Sequence, residues 1–588
     1  MPDIITEIEE VKTRLRTFWL PRDDTIRNER ILLNLVEPRE IKGFTQMTMN
    51  EPKVLYDTSV ALISGFEPKF RLPLANQSDS EKNLMNKAER LLIGIFRSLN
   101  HRQRLLGKDS FFRELAYYVC SGWVAAFPYL HTKGDDIEFR CELYDPITIY
   151  PEWDSDGLLR LVRTYETNQY NASALADSLE SPLVLKHPTD NVTVDNYWKR
   201  EKDSIYNTVI VGGKVAKPLT KEPYDRIPIL IQAISGSPRG PMVSGESDWI
   251  IHKGESVIAA NKSLFKSYNF WMSMLMQIVK DKAYPGLQDL TATGQPKLRK
   301  EDVAPGAIYH RQVGEEIKTI DYTGSPIDVN LILQQLSGAL QRGGLPYVIY
   351  GGLPFELSGF ALSQLLSAVR HKLNPYMNDY SGTLSDICLE FLRLFKLQSK
   401  SINLAVEKPE RRGKGEFFME DFDPKDIPVV KYVEVTVPLS LPVDKAQQVV
   451  LARQAISDPP LLSRPTLWDE VLDVQDAHLE YERIIEDQLL ELPVMKTITL
   501  IERLRGKADS YKQQDKSAIA DSLNRYADQL EQSLSQPTSP EATIPKPGGM
   551  SPGVLPEEAT TGSMADKMKA MLGKVPTGEA GLPARPGE

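Results

Sequence analysis

Between Gly343 and Leu362 the chain reads GGLPYVIYGGLPFELSGFAL, an apolar stretch broken by glycine and proline, which leads directly into a helical pattern. Glycine and proline at this density prevent the stretch from continuing a helix or joining a sheet. Long amphipathic segments flank it on both sides. The fold must therefore hold an apolar, irregular loop on a helical support, and the loop contains no acid–base or nucleophilic group set.

The preceding helical pattern runs from Glu246 to Lys280, with Ile250, Val257, Leu264, Tyr268, Trp271, Leu275 and Val279 recurring at three- and four-residue steps. This spacing predicts one long helix with a continuous buried stripe. The opposite row, Lys262, Lys266, Asn269, Ser273, Gln277 and Lys280, reads as a polar face. Residues 281–325 then break the period with Pro285, Gly286, Gly294, Pro296, Pro305, Gly306 and Gly314, around strand candidates Ala307–Gln312 and Ile317–Tyr322. Helix resumes at Ser325-Pro326-Ile327-Asp328, with a cap, a proline at the first helical position and an acid in the first turn. Its stripe is Val329, Ile332, Leu336 and Leu340. A third long helical pattern runs from Ala361 to about Leu397, where Pro375 predicts a kink or break.

Upstream, residues 1–245 read as mixed α and β. Helices are expected near 7–16, 25–34, 52–64, 80–98 and 109–121, and strands at Trp123–His131, Ile137–Tyr144, Ile147–Tyr150 and Leu158–Tyr165. Asp154-Ser155-Asp156-Gly157 and Gly212-Gly213 read as hairpin turns. Downstream, strands are expected at 429–440 and helices from Lys445 to about Leu530; the Pro- and Gly-rich residues after 536 read as disordered. The fold class expected is α+β, mainly α-helical.

Several chemistries are excluded. The chain has 588 residues and a net charge of −10, so it does not coat nucleic acid by bulk positive charge. Its three cysteines, Cys120, Cys141 and Cys388, are sparse and odd in number, which predicts buried thiols in a reducing compartment. The charged N-terminus is unlike a secretory signal, and the longest apolar run, Phe270–Val279, falls short of the roughly 18 residues that span a bilayer. A soluble cytoplasmic product with no membrane association is expected. The Gly-Lys pairs are never followed by Ser or Thr in a phosphate-binding loop, and no nucleophile elbow or His-Glu-x-x-His occurs. The dispersed histidines offer no metal spacing. No cofactor, no metal and no catalytic residue is expected, so the chain reads as a non-enzyme.

Two helices joined by a small αβ insert cannot bury both stripes alone, and need neighbouring copies. In this order of segments the chain resembles the portal proteins of tailed bacteriophages. Ser358-Gly359-Phe360-Ala361-Leu362 is similar to the Ser-Gly-x-Ala-Leu that follows the tunnel loop in that family. Asn261-Lys262-Ser263 lies where portals often carry an Asn in the first long helix, and Tyr144-Asp145-Pro146 with Tyr150-Pro151 and its turn resembles their wing hairpins. The order of segments agrees over about residues 25–490.

The resemblance implies a portal fold with wing (1–245), first stem helix (246–280), clip (281–325), second stem helix (326–342) and tunnel loop (343–359). A long kinked helix with wing strands (360–444), a helical crown (445–535) and a disordered tail (536–588) would follow. It implies a homo-oligomer, a ring of twelve subunits at one capsid vertex in the virion, assembled in the host cytoplasm. Double-stranded DNA would be packaged and ejected through its channel. Implied partners are the terminase large subunit, the major capsid and scaffolding proteins, and a head-completion or tail adaptor protein. In that mapping Tyr347, Tyr350, Leu353, Pro354, Phe355 and Glu356 belong to the tunnel loop, Lys262, Lys266 and Lys280 are channel-facing candidates, and Lys297, Arg299 and Lys300 are clip docking candidates. The alternative is a structural adaptor or scaffold of a virion that binds a partner through its helical hairpin without any channel.

Overall fold

The computed structural model describes residues 4–36, 45–65, 67–73, 79–133, 136–179, 190–236, 250, 252–295, 297–299, 308–320, 326–350, 359–408, 416–437, 467, 484–485, 488–489, 492–513 and 517–535. The chain divides into two units, residues 1–481 and 482–588.

The first unit is α+β. Its first helix, α1 (Ile4–Leu33), is one continuous rod through Pro21, where the sequence suggests two shorter helices. Its apolar line Ile8, Val11, Leu15, Trp19 and Ile26 lies against a sheet face carrying Tyr150, Val162, Tyr197 and Ile210. That burial compensates for the hydrogen bond lost at the proline. Three helices follow: α2 (Glu51–Ser64), α3 (Asp79–Leu105) and α4 (Phe111–Cys120). Ser110 caps α4 by accepting a bond from the Arg113 amide.

Two antiparallel sheets come next. In the first, β2 (Trp123–Lys133) lies between β3 (Asp136–Leu143) and β9 (Leu230–Ala233). The second is a five-stranded meander, β4 (Ile149–Asp154), β5 (Gly157–Asn168), β6 (Asn191–Glu201), β7 (Ser204–Val211) and β8 (Lys214–Glu222). Both expected hairpin turns are present. Gly157, Gly212 and Gly213 take positive φ there, the conformation for which glycine is favoured. Strand β6 and the short helix α5 (Gln169–Ser178) have no counterpart in the sequence expectations.

The expected 35-residue helix from 246 is instead the 22-residue α6 (Lys262–Ala283). Ile250 and His252 are helical and Ala259–Asn261 form a 3₁₀ turn leading into α6, but residues 253–258 between them are not helical. There main-chain bonds run from Glu255 N–H to Ile234 O and from Val257 N–H to Cys120 O, with Ile234 N–H in turn on Gly122 O, at 2.9–3.0 Å. Backbones approach so closely that a methyl on Gly254 would collide with the Gly122 carbonyl and the Trp123 indole nitrogen. Residues 246–249 and 251 lie outside the described residues. After α6, β10 (Leu287–Leu290) pairs antiparallel with β11 (Glu316–Thr319), and α7 (Pro326–Gly343) returns. Residues 308–312 form no strand, contrary to the sequence expectation, because the pairing partner of β10 is β11.

The long helix α8 (Gly359–Lys396) runs unbroken through Pro375. Val369, Leu373, Tyr376, Tyr380, Leu384, Ile387, Phe391 and Phe395 make it the centre of the main core. Phe96 of α3 stacks on Phe70 at 5.1 Å and meets Phe391 edge-on at 6.3 Å. Its polar side holds the segment before α6: Asp379 accepts from the Ser235 amide, and Tyr376 donates to the Glu255 carbonyl. Fully buried Glu390 receives Arg226 and Arg393. Strands β12 (Ile402–Lys408) and β13 (Glu416–Phe422) pair with each other, and β14 (Glu434–Thr436) pairs with β1 (Lys69–Arg71). Only three residues of the expected strand 429–440 are extended and paired among the described residues.

In the second unit, α9 (Pro493–Gln513) and α10 (Ser517–Ser535) form an antiparallel pair closed by Ile501, Ala508, Ala520 and Ala527. Arg505 bridges to Asp528 and Glu531. Residues 536–588 lie outside the described residues.

The glycine junction yields a paired test. Gly254→Ala is expected to lower the unfolding free energy by about 3 kcal/mol or prevent folding, since backbone atoms cannot yield to the methyl. Gly382→Ala, inside α8 with open space around it, is expected to stabilise by up to about 1 kcal/mol. Urea unfolding of both variants checks this; equal midpoints would contradict it.

Candidate functional site: the helical hairpin and its loops

Helices α6 and α7 pack together with the β10–β11 pair at the connected end. At the other end Asn261, 1% exposed, donates from Nδ2 to the Leu340 carbonyl at 2.8 Å. Leu340 sits in the last turn of α7, where carbonyls lack helical partners, so the amide supplies one. Gly343 leaves the room for that side chain, since a Cβ there would occupy the Asn261 oxygen.

The buried line of α6 in this chain is Phe265, Asn269 and Ser273, not the expected apolar stripe. Leu264, Tyr268, Trp271 and Leu275 are half-buried, and Val279 is exposed. The reason is an extended strap, residues 45–49, lying along the face that the sequence suggests is solvated. Amides of Thr45, Met47 and Met49 donate to Gln277 Oε1 (2.9 Å), Ser273 Oγ (2.9 Å) and Asn269 Oδ1 (3.0 Å). Two extended residues advance roughly 6.7 Å and four helical residues roughly 6.0 Å, so three successive pairs stay in step. Asn269, Ser273 and Gln277 are thereby committed to the chain's own backbone. The signal in the sequence was their neutrality: an i, i+4, i+8 row of Asn, Ser and Gln fits main-chain bonding better than a charged, solvated face.

The three lysine candidates of α6 separate. Lys262 Nζ lies 3.6 Å from Glu29 Oε1 of α1, and Glu29 is buried. Burial holds the Glu29 carboxyl above its usual range even with Lys262 beside it. Lys262 is thus a structural partner in this chain. Lys266 and Lys280 are exposed. Fourteen residues apart, they stand close to one line along the helix, given 3.6 residues per turn.

Of the loop residues, Tyr347–Tyr350 form a 3₁₀ turn separated from α7 by three residues, and Ile349 and Tyr350 pack against the main core. Tyr350 is therefore anchored inward. Leu353, Pro354, Phe355 and Glu356 lie outside the described residues. Around β10–β11, Lys297 Nζ pairs with Glu315 at 2.5 Å and holds that carboxyl below its usual range. The amides of Lys297 and Leu298 donate to Asp289. Lys297 thus serves the internal order of this tip, Arg299 is exposed, and Lys300 lies outside the described residues.

The hairpin leaves much apolar surface uncovered: Phe270, Met276 and Val279 on α6, Leu331 on α7, and Tyr284, Ile308, Val313 and Ile320 around the tip. Tyr284 is 81% and Ile308 84% exposed. Nine residues apart, Phe270 and Val279 stand on opposite sides of α6, so apolar surface is left on more than one side of the hairpin. By contrast, Cys120, Cys141 and Cys388 are buried free thiols, and burial raises all three. Among the described residues no group of three His, Cys, Asp or Glu is placed to hold a metal, and no helix is long and apolar enough to cross a membrane.

Two substitutions test the hairpin's polar contacts. Ser273→Ala is expected to accelerate amide hydrogen exchange at Met47 and cost about 1 kcal/mol; unchanged exchange would remove the strap's role. Lys262→Met, which strands buried Glu29, is expected to cost about 1–3 kcal/mol in urea unfolding.

No protein-family model matches this chain, and no curated protein matches it.

Proposed function

We propose that this chain is a bacteriophage portal protein, a ring subunit that forms the channel for DNA packaging and ejection at one capsid vertex. The observation that carries the reading is the helical hairpin, pinned at its base by Asn261 and bearing uncovered apolar residues from Phe270 to Tyr284 and at Leu331. A protomer that leaves these residues in water is unfavourable by roughly 25 cal/mol for each Å² of apolar surface, and a closed ring of identical hairpins would bury them on both flanks. The order of segments along the chain agrees: an α+β body, helix, β pair, returning helix, loop, then a long core helix.

On this reading α6 and α7 are the stem and β10–β11 the clip, which would meet terminase during packaging and a head-completion or tail adaptor afterwards. The loop after Tyr350 lines the constriction. Of the three lysine candidates, Lys266 and Lys280 are the exposed ones, and each would become a ring of charge in the assembly. Lys262 pairs with Glu29 within the protomer, so the reading places less of the channel charge on it. Arg299 stays a docking candidate at the clip, whereas Lys297 braces it from within.

The test uses the interface. Native mass spectrometry of the full chain is expected to give a ring of about a dozen copies, and Val279→Asp with Leu331→Asp is expected to shift it to monomers that keep their helical circular dichroism. Wild-type protein that stays monomeric across salt conditions would contradict the proposal. Shortening residues 347–356 is expected to impair DNA packaging or retention while the ring still assembles; normal packaging would favour an adaptor without a channel.

A further inference from the structure

A cavity of about 200 Å³ lies between the C-terminal end of α3 and the β2–β3 hairpin, with Arg163 of β5 in its wall. Nothing in the portal reading uses it. Arg163 is held in an unusual way: its guanidinium carbon is 3.6 Å from the Tyr144 ring centre and 4.3 Å from that of Tyr165. Aromatic rings against the guanidinium leave its edge as the place to make hydrogen bonds. At that edge Nε–H is buried with no hydrogen-bond partner.

A second orphan lines the same cavity. Gln103 is 8% exposed, its Nε2 donates to Glu114 at 3.2 Å, and its Oε1 is buried without a partner. A buried donor and a buried acceptor left unpaired on two residues that line one cavity match an occupant that offers both an acceptor and a donor once the wall gives way to it. The wall also carries Arg102, Lys108 and Arg140, against the single carboxylate of Glu142, which accepts the Tyr129 hydroxyl at 2.8 Å. Glu138 engages Arg102 and Arg140, and Glu114 lies 3.8 Å from Lys108. The balance favours an anion, while Glu142 disfavours a fully ionised one.

We propose that this cavity is a binding site for hydrogen phosphate. Arg163 Nε–H donates to a phosphate oxygen, and Gln103 Oε1 accepts the bond from the remaining P–OH. Lys108, exposed at the rim, raises the local positive potential. Sulfate has no proton to give at neutral pH and leaves Gln103 unpaired. A phosphomonoester, with its second pKa near 6, is mostly without its proton at pH 7 and pairs less well.

The experiment is calorimetric titration of the full chain at pH 7 and matched ionic strength with inorganic phosphate, sulfate and O-phosphoserine. Saturable phosphate binding is expected, at least roughly tenfold tighter than either competitor. Gln103→Leu is expected to bring phosphate down to the sulfate level, and Lys108→Gln, at an exposed position, to weaken phosphate severalfold. Circular dichroism establishes that each variant is folded. No saturable phosphate heat, sulfate binding equal to phosphate, or phosphate binding unchanged in folded Lys108→Gln would overturn the proposal.

Discussion

The bond from Asn261 to the Leu340 carbonyl is the contact on which the hairpin depends. It joins the first residue before one helix to the last turn of the other, across 79 residues of chain. A buried amide that lost this partner would leave a carbonyl without solvent or protein to bond, at a cost of about 1–3 kcal/mol. The glycines on either side make the geometry attainable. Gly343 clears the space for Asn261, and Gly254 lets the chain enter α6 pressed against Gly122. The hairpin is therefore held at one end through Asn261 and the chain entering α6, along α6 by the 45–49 strap, and the tip at the other end is ordered by its own ion pairs.

This arrangement explains which parts of the fold were legible in the sequence. The hairpin turns at Asp154–Gly157 and Gly212–Gly213 were readable because turn chemistry is local, and α7 because its proline start and apolar period agree. The long helix from 246 was not, because what interrupts it is non-local: Cys120 and Ile234 take the main-chain bonds that a helix would have used. Pro21 and Pro375 misled in the opposite direction. Each sits in a helix whose buried face outweighs the missing donor. Strand β12 carries alternating Ile402, Leu404 and Val406, a period-two signal that reads clearly once the end of α8 is known.

The candidate site was legible in outline and not in polarity. Sequence period assigns Leu264, Tyr268, Trp271 and Leu275 to the interior and Asn269, Ser273 and Gln277 to a solvated face; Leu264 and Tyr268 do pack against the main core, but the strap covers the polar row and Val279 is left exposed. An amphipathic pattern records that a helix has two environments, but does not say which one belongs to the same chain. Here the polar row grips the protomer's own backbone, while part of the apolar row is left outward. The proposed ring would use that division, with polar groups satisfied within the chain and the outward apolar ones covered by a neighbour.

The central claim is that these outward apolar faces close into a ring around a channel. Electron-micrograph averages of the purified full chain viewed end-on test it directly. Closed annular particles with a central opening and about twelvefold symmetry are predicted. Compact particles without an opening, or open chains of variable length, would contradict the account.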